Sequence, residues 1–269
     1  RDQPRSRGLG DVYKRQINIM NKDSQKKLFL EAKGISKFFG HVTALDNVDI
    51  ELYQGEVLAL VGDNGAGKST LVSILSGVLQ PDLGSIWVDK QKVIIDNPLK
   101  AQKLGIGTVF QDLALVNVRD VAANLFLGSE PTKFGFIVDR KRMIREATDA
   151  ISNLGINLPS VHTQVSLLSG GQRQGVAVAR ALLESARATL MDEPTAALGV
   201  REAAQVINII SRLHEQSQAV LLISHNLVNV FALAHRVIIL RHGQVVGTRM
   251  IAKTTKEEVV SLITGAKES

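Results

Sequence analysis

The segment Gly62-Asp63-Asn64-Gly65-Ala66-Gly67-Lys68-Ser69-Thr70 lies between the apolar run Val57-Leu58-Ala59-Leu60-Val61 and the segment Leu71-Val72-Ser73-Ile74-Leu75. The run reads as a buried parallel strand, and the residues after Lys68 read as a helix. The loop between them fits the pattern GxxxxGK[ST], which places it at the turn from strand to helix. Glycines at 62, 65 and 67 let the backbone curl so that several N–H groups aim at one anion. The helix start adds a partial positive charge and Lys68 a full one, while Ser69 offers a hydroxyl to Mg²⁺. Asn64, Ala66 and Thr70 complete the loop. A strand–loop–helix unit of this kind constrains the chain to a layered α/β architecture that binds a nucleotide.

A second strand of similar texture ends in acid: Ala188-Thr189-Leu190-Met191-Asp192-Glu193-Pro194-Thr195. Ligands collect at the carboxyl ends of strands in open α/β sheets, so Asp192 can reach the Mg²⁺ sphere. The neighbouring Glu193 can act on the attacking water as general base or as a positioning group. Leu168-Ser169-Gly170-Gly171-Gln172-Arg173-Gln174 opens another helix, whose apolar face carries Val176, Val178, Ala179, Ala181 and Leu182. That makes a second anion-binding helix start. Two phosphate-reading turns in one chain suggest a second protomer whose turn completes the site.

With these residues the sequence resembles the ATP-binding cassette family, whose signature is LSGGQ, over nearly the whole chain. The resemblance implies a P-loop NTPase core with a mostly parallel sheet, an antiparallel β flank and an inserted helical subdomain at about 112–168, within one domain spanning 20–269. It implies ATP and Mg²⁺ as ligands, and two cassettes closing head to tail so that Ser169 and Gly171, with Gly170 and Gln172 in the same turn, meet the γ-phosphate of the partner's ATP. Phe39 in Lys37-Phe38-Phe39-Gly40-His41 matches the aromatic that stacks on adenine. Gln111 in Thr108-Val109-Phe110-Gln111-Asp112 matches the glutamine linking Mg²⁺ and water to the membrane partner. His225, at the end of Val220-Leu221-Leu222-Ile223-Ser224-His225, matches the histidine that holds Glu193 and the γ-phosphate.

One position departs from the family. After Pro194-Thr195 the usual Ser-Ala-Leu-Asp is replaced by Ala196-Ala197-Leu198-Gly199. The missing carboxylate normally helps connect the two sites of the dimer. The same run, with Ala123–Gly128 and Leu154–Val161, is similar to importers of simple sugars. By this resemblance the chain is the ATPase subunit of such an importer, peripheral on the cytoplasmic face of the membrane, working as a homodimer or beside a second ATPase, with an integral permease and an extracytoplasmic solute-binding protein. Import of another small solute, or a regulatory cassette with weakened turnover, stays open as an alternative.

Bulk properties agree. The chain has 269 residues, 45% hydrophobic but only 4% aromatic, which suits α/β packing by Val, Ile, Leu and Ala. There are no cysteines, which excludes disulfides and thiolate metal sites. No apolar run is long enough to cross a bilayer. Half of the net charge of +6 sits in residues 1–16, so the remainder gives no reason to expect a nucleic-acid partner. Asp11–Gln16 resembles a translated adaptor used in DNA sequencing. We read residues 1–19 as a disordered, non-native tail and Met20 as the native start.

Strands are expected at Val48–Leu52, Ser85–Val88 and Lys92–Ile95, then a helix through Ile144, Ala147, Ile151 and Leu154 ended by Gly155. Leu113–Val116 and Leu125–Gly128 are the candidate groove for a permease helix. Thr254 and Thr255, preceding Glu257 and Glu258, make two overlapping capping boxes for a last helix.

Overall fold

The computed structural model describes residues 27–183 and 186–266. The expected tail at 1–19 lies outside them. In chain order the elements are β1 (Leu28–Phe39), β2 (Val42–Tyr53), β3 (Val57–Val61), α1 (Lys68–Leu75), β4 (Leu83–Val88), β5 (Gln91–Val93), α2 (Pro98–Lys103) and β6 (Ile106–Val109). Then come α3 (Val121–Leu125), β7 (Thr132–Lys133), β8 (Ile137–Val138), α4 (Arg140–Asn153), α5 (Gly170–Leu182) and β9 (Ala188–Asp192). The last elements are α6 (Val200–Glu215), β10 (Ala219–Ile223), α7 (Leu227–Leu233), β11 (Arg236–Arg241), β12 (Gln244–Met250) and α8 (Lys256–Thr264).

A six-stranded sheet in the order β12-β11-β3-β10-β9-β6 forms the centre, parallel except for the edge strand β12. Its middle strands are buried on both faces, which explains why β3 and β10 read as unbroken apolar runs and β9 as a mostly apolar one, with Thr189 inside it and Asp192 at its end. Alternate residues serve opposite layers. Val57, Ala59, Val61, Val220 and Leu222 join the cluster formed with α4, α5 and α6. Leu58, Leu60, Leu221 and Ile223 join the cluster formed with α1 and the four-stranded antiparallel sheet β2-β1-β4-β5. The expected architecture of parallel core and antiparallel flank is therefore present.

Local expectations fare unevenly. Strand β2 covers Val48, Ile50 and Leu52, and α4 buries Met143, Ala147 and Ile151 before Gly155 turns the chain at φ 63°. Strand β5 stops at Val93, short of the expected Ile95, because the Ile95 carbonyl accepts from Gln80 Nε2 instead of joining a ladder. Of the two capping threonines only Thr255 caps α8, accepting from the Glu258 N–H, while Thr254 Oγ1 donates to the Glu258 carboxylate. In the segment 112–168, Leu125 and Phe126 are buried core residues rather than groove, at 2% and 5% exposure. They pack in the same apolar cluster as α4 and the sheet. The short β7–β8 hairpin in that segment had no sequence signal.

Candidate functional site at the carboxyl edge of the sheet

Strand order assembles the site. β10 lies between β3 and β9, with Leu60 opposite Ile223 and Ile223 opposite Asp192. β6 lies on the far side of β9, with Val109 opposite Met191. The chain therefore leaves four adjacent strands at one edge, through the phosphate loop, Ser224-His225, Glu193 and Phe110-Gln111.

The phosphate loop is shaped by close backbone approaches. Gly62 has φ 153° and a Cβ there would lie 2.1 Å from the Leu240 carbonyl oxygen. Gly67, at φ 103°, caps α1, and its Cβ would lie 2.4 Å from the Ala44 carbonyl oxygen. Gly65 instead faces open space, with no heavy atom within 4 Å of a Cβ position. Asn64 and Ser69 are exposed, Thr70 is half-buried and Ala66 is buried. The Lys68 ammonium donates to the carbonyls of Gly62 and Asp63, each at 2.8 Å, so the loop holds its own cation over its mouth. Burial lowers the Lys68 pKa, opposed by the charges of Glu193, Asp192 and Asp63.

Asp192 is buried, and burial raises its pKa, opposed first by a hydrogen bond from the Ser69 hydroxyl. Glu193 begins the loop after β9 in the left-handed region at φ 50°, which costs about 1 kcal/mol for a non-glycine residue. Its N–H donates to the Ile223 carbonyl at 3.1 Å, which clamps the loop to the end of β10. Its side chain meets His225 twice: Nδ1 is 2.8 Å from Oε2, and the His225 N–H is 3.4 Å from the same oxygen. Asn226 caps α7 through Val228 N and Asn229 N, and Asn229 Nδ2 donates to Thr195 Oγ1. These supporting residues had escaped the sequence reading, although an Asn before an apolar helix is an N-cap signal.

Phe39 ends β1 and is 47% exposed, with the Lys37 ammonium 5.6 Å from its ring centre. It pairs with Val42 in the hairpin whose Ala44 and Leu45 press on Gly67. Gln111 is exposed, two residues beyond Val109 as Glu193 is two beyond Met191. Lys68, Ser69, Asp192, Glu193 and His225 are thus brought together, with Gln111 along the same edge.

The signature turn has other neighbours. Ser169 caps α5: its hydroxyl accepts from Gln172 N at 3.3 Å, and Gln172 Oε1 accepts from Ser169 N at 2.9 Å. Gln172 Nε2 donates to the Asn157 carbonyl, so that amide serves the cap. Gly170 and Gly171 abut Leu198, Glu202 and Gln205, whereas Gly62 and Gly67 of the phosphate loop abut Ala44, Leu45 and Leu240.

A sequence model of the ABC transporter family matches residues 45–196, which span the phosphate loop, the Ser169–Gln172 turn and the Asp192-Glu193 pair. The chain belongs to the ABC transporter family. It is an ABC transporter ATP-binding protein that hydrolyses ATP to drive transport. It is 43% identical to the xylose/arabinose import ATP-binding protein XylG of Sulfolobus acidocaldarius, over 87% of this chain and 93% of that protein. It is 42% identical to the fructose import ATP-binding protein FrcA of Rhizobium meliloti, over 89% of this chain and 95% of that one. Among solved structures, the ADP conformation of the ATP-binding cassette MJ1267 superposes with a TM-score of 0.76 at 26% identity, covering 88% of this ABC ATPase and 95% of that chain.

The oxygen donors of Ser69 and Asp192 suit a hard divalent cation such as Mg²⁺. Among the described residues no group of three or more His, Cys, Asp or Glu could hold a metal. No helix among the described residues is long and apolar enough to cross a membrane.

Proposed function

We propose that this ABC ATPase powers an importer of simple sugars. The xylose/arabinose and fructose import proteins, matched over nearly their whole length, support the cargo class. The run Ala196–Gly199 supports the same branch. The transporter partners are an integral permease and an extracytoplasmic solute-binding protein, with this chain at the cytoplasmic membrane face. Two copies of it close head to tail, so that Ser169 and Gly171 of one serve the ATP held by the phosphate loop of the other. Segment 112–168 acts as the helical subdomain of the 20–269 domain.

The observation that carries hydrolysis is the Glu193–His225 contact at 2.8 Å, at the sheet edge beside the phosphate loop. Phosphoryl transfer to water is mainly positioning and charge neutralisation. Lys68 and the loop N–H groups bind the phosphates, and Phe39 stacks on the base. Ser69, Asp192 and Gln111 would hold Mg²⁺, which neutralises phosphate charge when bound. Glu193 orients the attacking water and takes its proton, and His225 keeps that carboxylate in place. Affinity capture of the tagged chain from gently solubilised membranes of its native host tests the transport reading. A polytopic permease and a sugar-type binding protein are expected in the eluate. Recovery of only soluble partners overturns it.

A further inference from the structure

One carboxylate joins the signature turn to the loop that follows Glu193. Glu202 Oε1 accepts a hydrogen bond from Gly170 N at 3.0 Å, and Oε2 accepts one from Gly199 N at 3.2 Å. Gly170 opens α5 and Gly199 is the N-cap of α6, so two helix starts share a single anion. Gly199 has no side chain with which to cap its own helix. Half of a capping box remains, and that half also reaches across to α5. The packing behind the turn is tight. A Cβ on Gly171 would lie 3.1 Å from the Glu202 Cα and 2.6 Å from Gln205 Oε1, and a Cβ on Gly170 would lie 2.7 Å from Leu198 Cδ2. These two glycines therefore admit α6 from behind, whatever they do on their exposed side.

We propose that Glu202 is a positioning residue that locks the Ser169–Gly171 turn to the 193–199 loop, so that the two move as one unit. The proposal rests on the reading of that turn as a contact to the partner's γ-phosphate. In such a dimer each chain's Glu193 serves its own ATP while its signature turn serves the other. Glu202 then mechanically connects the two ATP sites, from a position three residues beyond the glycine at 199. Sequence offered one signal for it, a glutamate at the third helical position after the N-cap.

Steady-state hydrolysis by the full chain, with Ser169→Ala, Glu202→Ala and Glu202→Gln variants, tests this beside titration of each with a fluorescent ATP analogue. Glu202→Ala is expected to lower kcat about tenfold, the scale of a misplaced catalytic group, with nucleotide affinity unchanged. Glu202→Gln retains one acceptor oxygen and is expected to lose only about threefold. Wild-type turnover by Glu202→Ala alongside an impaired Ser169→Ala overturns this proposal alone. Parallel loss of turnover and nucleotide binding in Glu202→Ala also overturns it, because the role is then general to the fold. Full turnover by Ser169→Ala removes the signature reading and this proposal with it.

Discussion

His225 Nδ1 stands 2.8 Å from Glu193 Oε2, across 32 residues of sequence and two neighbouring strand ends. The contact exists because β9 and β10 pair in parallel, with Asp192 opposite Ile223. Glu193→Gln is expected to bind ATP normally but to turn over about 10²-fold more slowly, the scale for loss of a positioned acid–base group. His225→Ala leaves the carboxylate but removes its ring partner, and is expected to lower kcat about tenfold or more without changing nucleotide affinity. Hydrolysis and nucleotide titrations on both variants check this. Near-normal turnover by Glu193→Gln would sink the role given to that residue.

Lys68 is held by two carbonyls of its own loop, at 2.8 Å each. Lys68→Ala is expected to abolish nucleotide binding itself rather than to slow hydrolysis alone. Titration with a fluorescent nucleotide reads this directly, and retained affinity would contradict it.

The buried Asp192 carries a stability cost. Burial raises its pKa, so the folded state favours the neutral form. The ionised carboxylate therefore subtracts stability above the folded-state pKa, and the subtraction disappears as pH falls below the ordinary value of 3.8. Asp192→Asn keeps an oxygen for the Ser69 hydroxyl. It is expected to melt above the wild type near neutral pH, to converge with it in acid, and to lose hydrolysis. Thermal melts across pH check the sign, and a lower melting temperature for the variant at neutral pH would refute it.

The glycines of the phosphate loop separate fold from function. Gly65 faces open space at φ 79°, so Gly65→Ala is expected to cost only about 1 kcal/mol of stability while weakening nucleotide binding. Gly67→Ala would drive a Cβ to 2.4 Å from the Ala44 carbonyl oxygen. It is expected to cost about 3 kcal/mol, through overpacking added to left-handed strain. Denaturant unfolding of the two variants distinguishes them.

Legibility varied with the range of the interaction. The unbroken apolar runs of β3 and β10, and the mostly apolar β9, were readable because strands buried on both faces have no solvent-facing polar side. The boundary of β5 was not, since a side chain from Gln80 takes the carbonyl that a longer ladder would have used. Leu125 and Phe126 were assigned to a groove because composition cannot distinguish an apolar contact surface from core, and only packing against α4 and the sheet shows that they are buried. The Glu202 contact with Gly170 joins two helices 32 residues apart, which no local pattern specifies. Asn226 differs: it caps its own helix through Val228 N and Asn229 N, a local signal open to sequence reading.

The phosphate loop, the acid pair Asp192-Glu193 and the helix start at Ser169-Gly170-Gly171 could be read from sequence alone, because each is a local device. Backbone freedom at glycine, a helix start and the next few side chains suffice to define it. The order of the strands was decided only in the folded molecule. Inserting β10 between β3 and β9 brings His225 to Glu193, and packing α6 behind α5 brings Glu202 to Gly170. Both contacts depend on how apolar faces remote in sequence pack together, which local pattern constrains but does not specify.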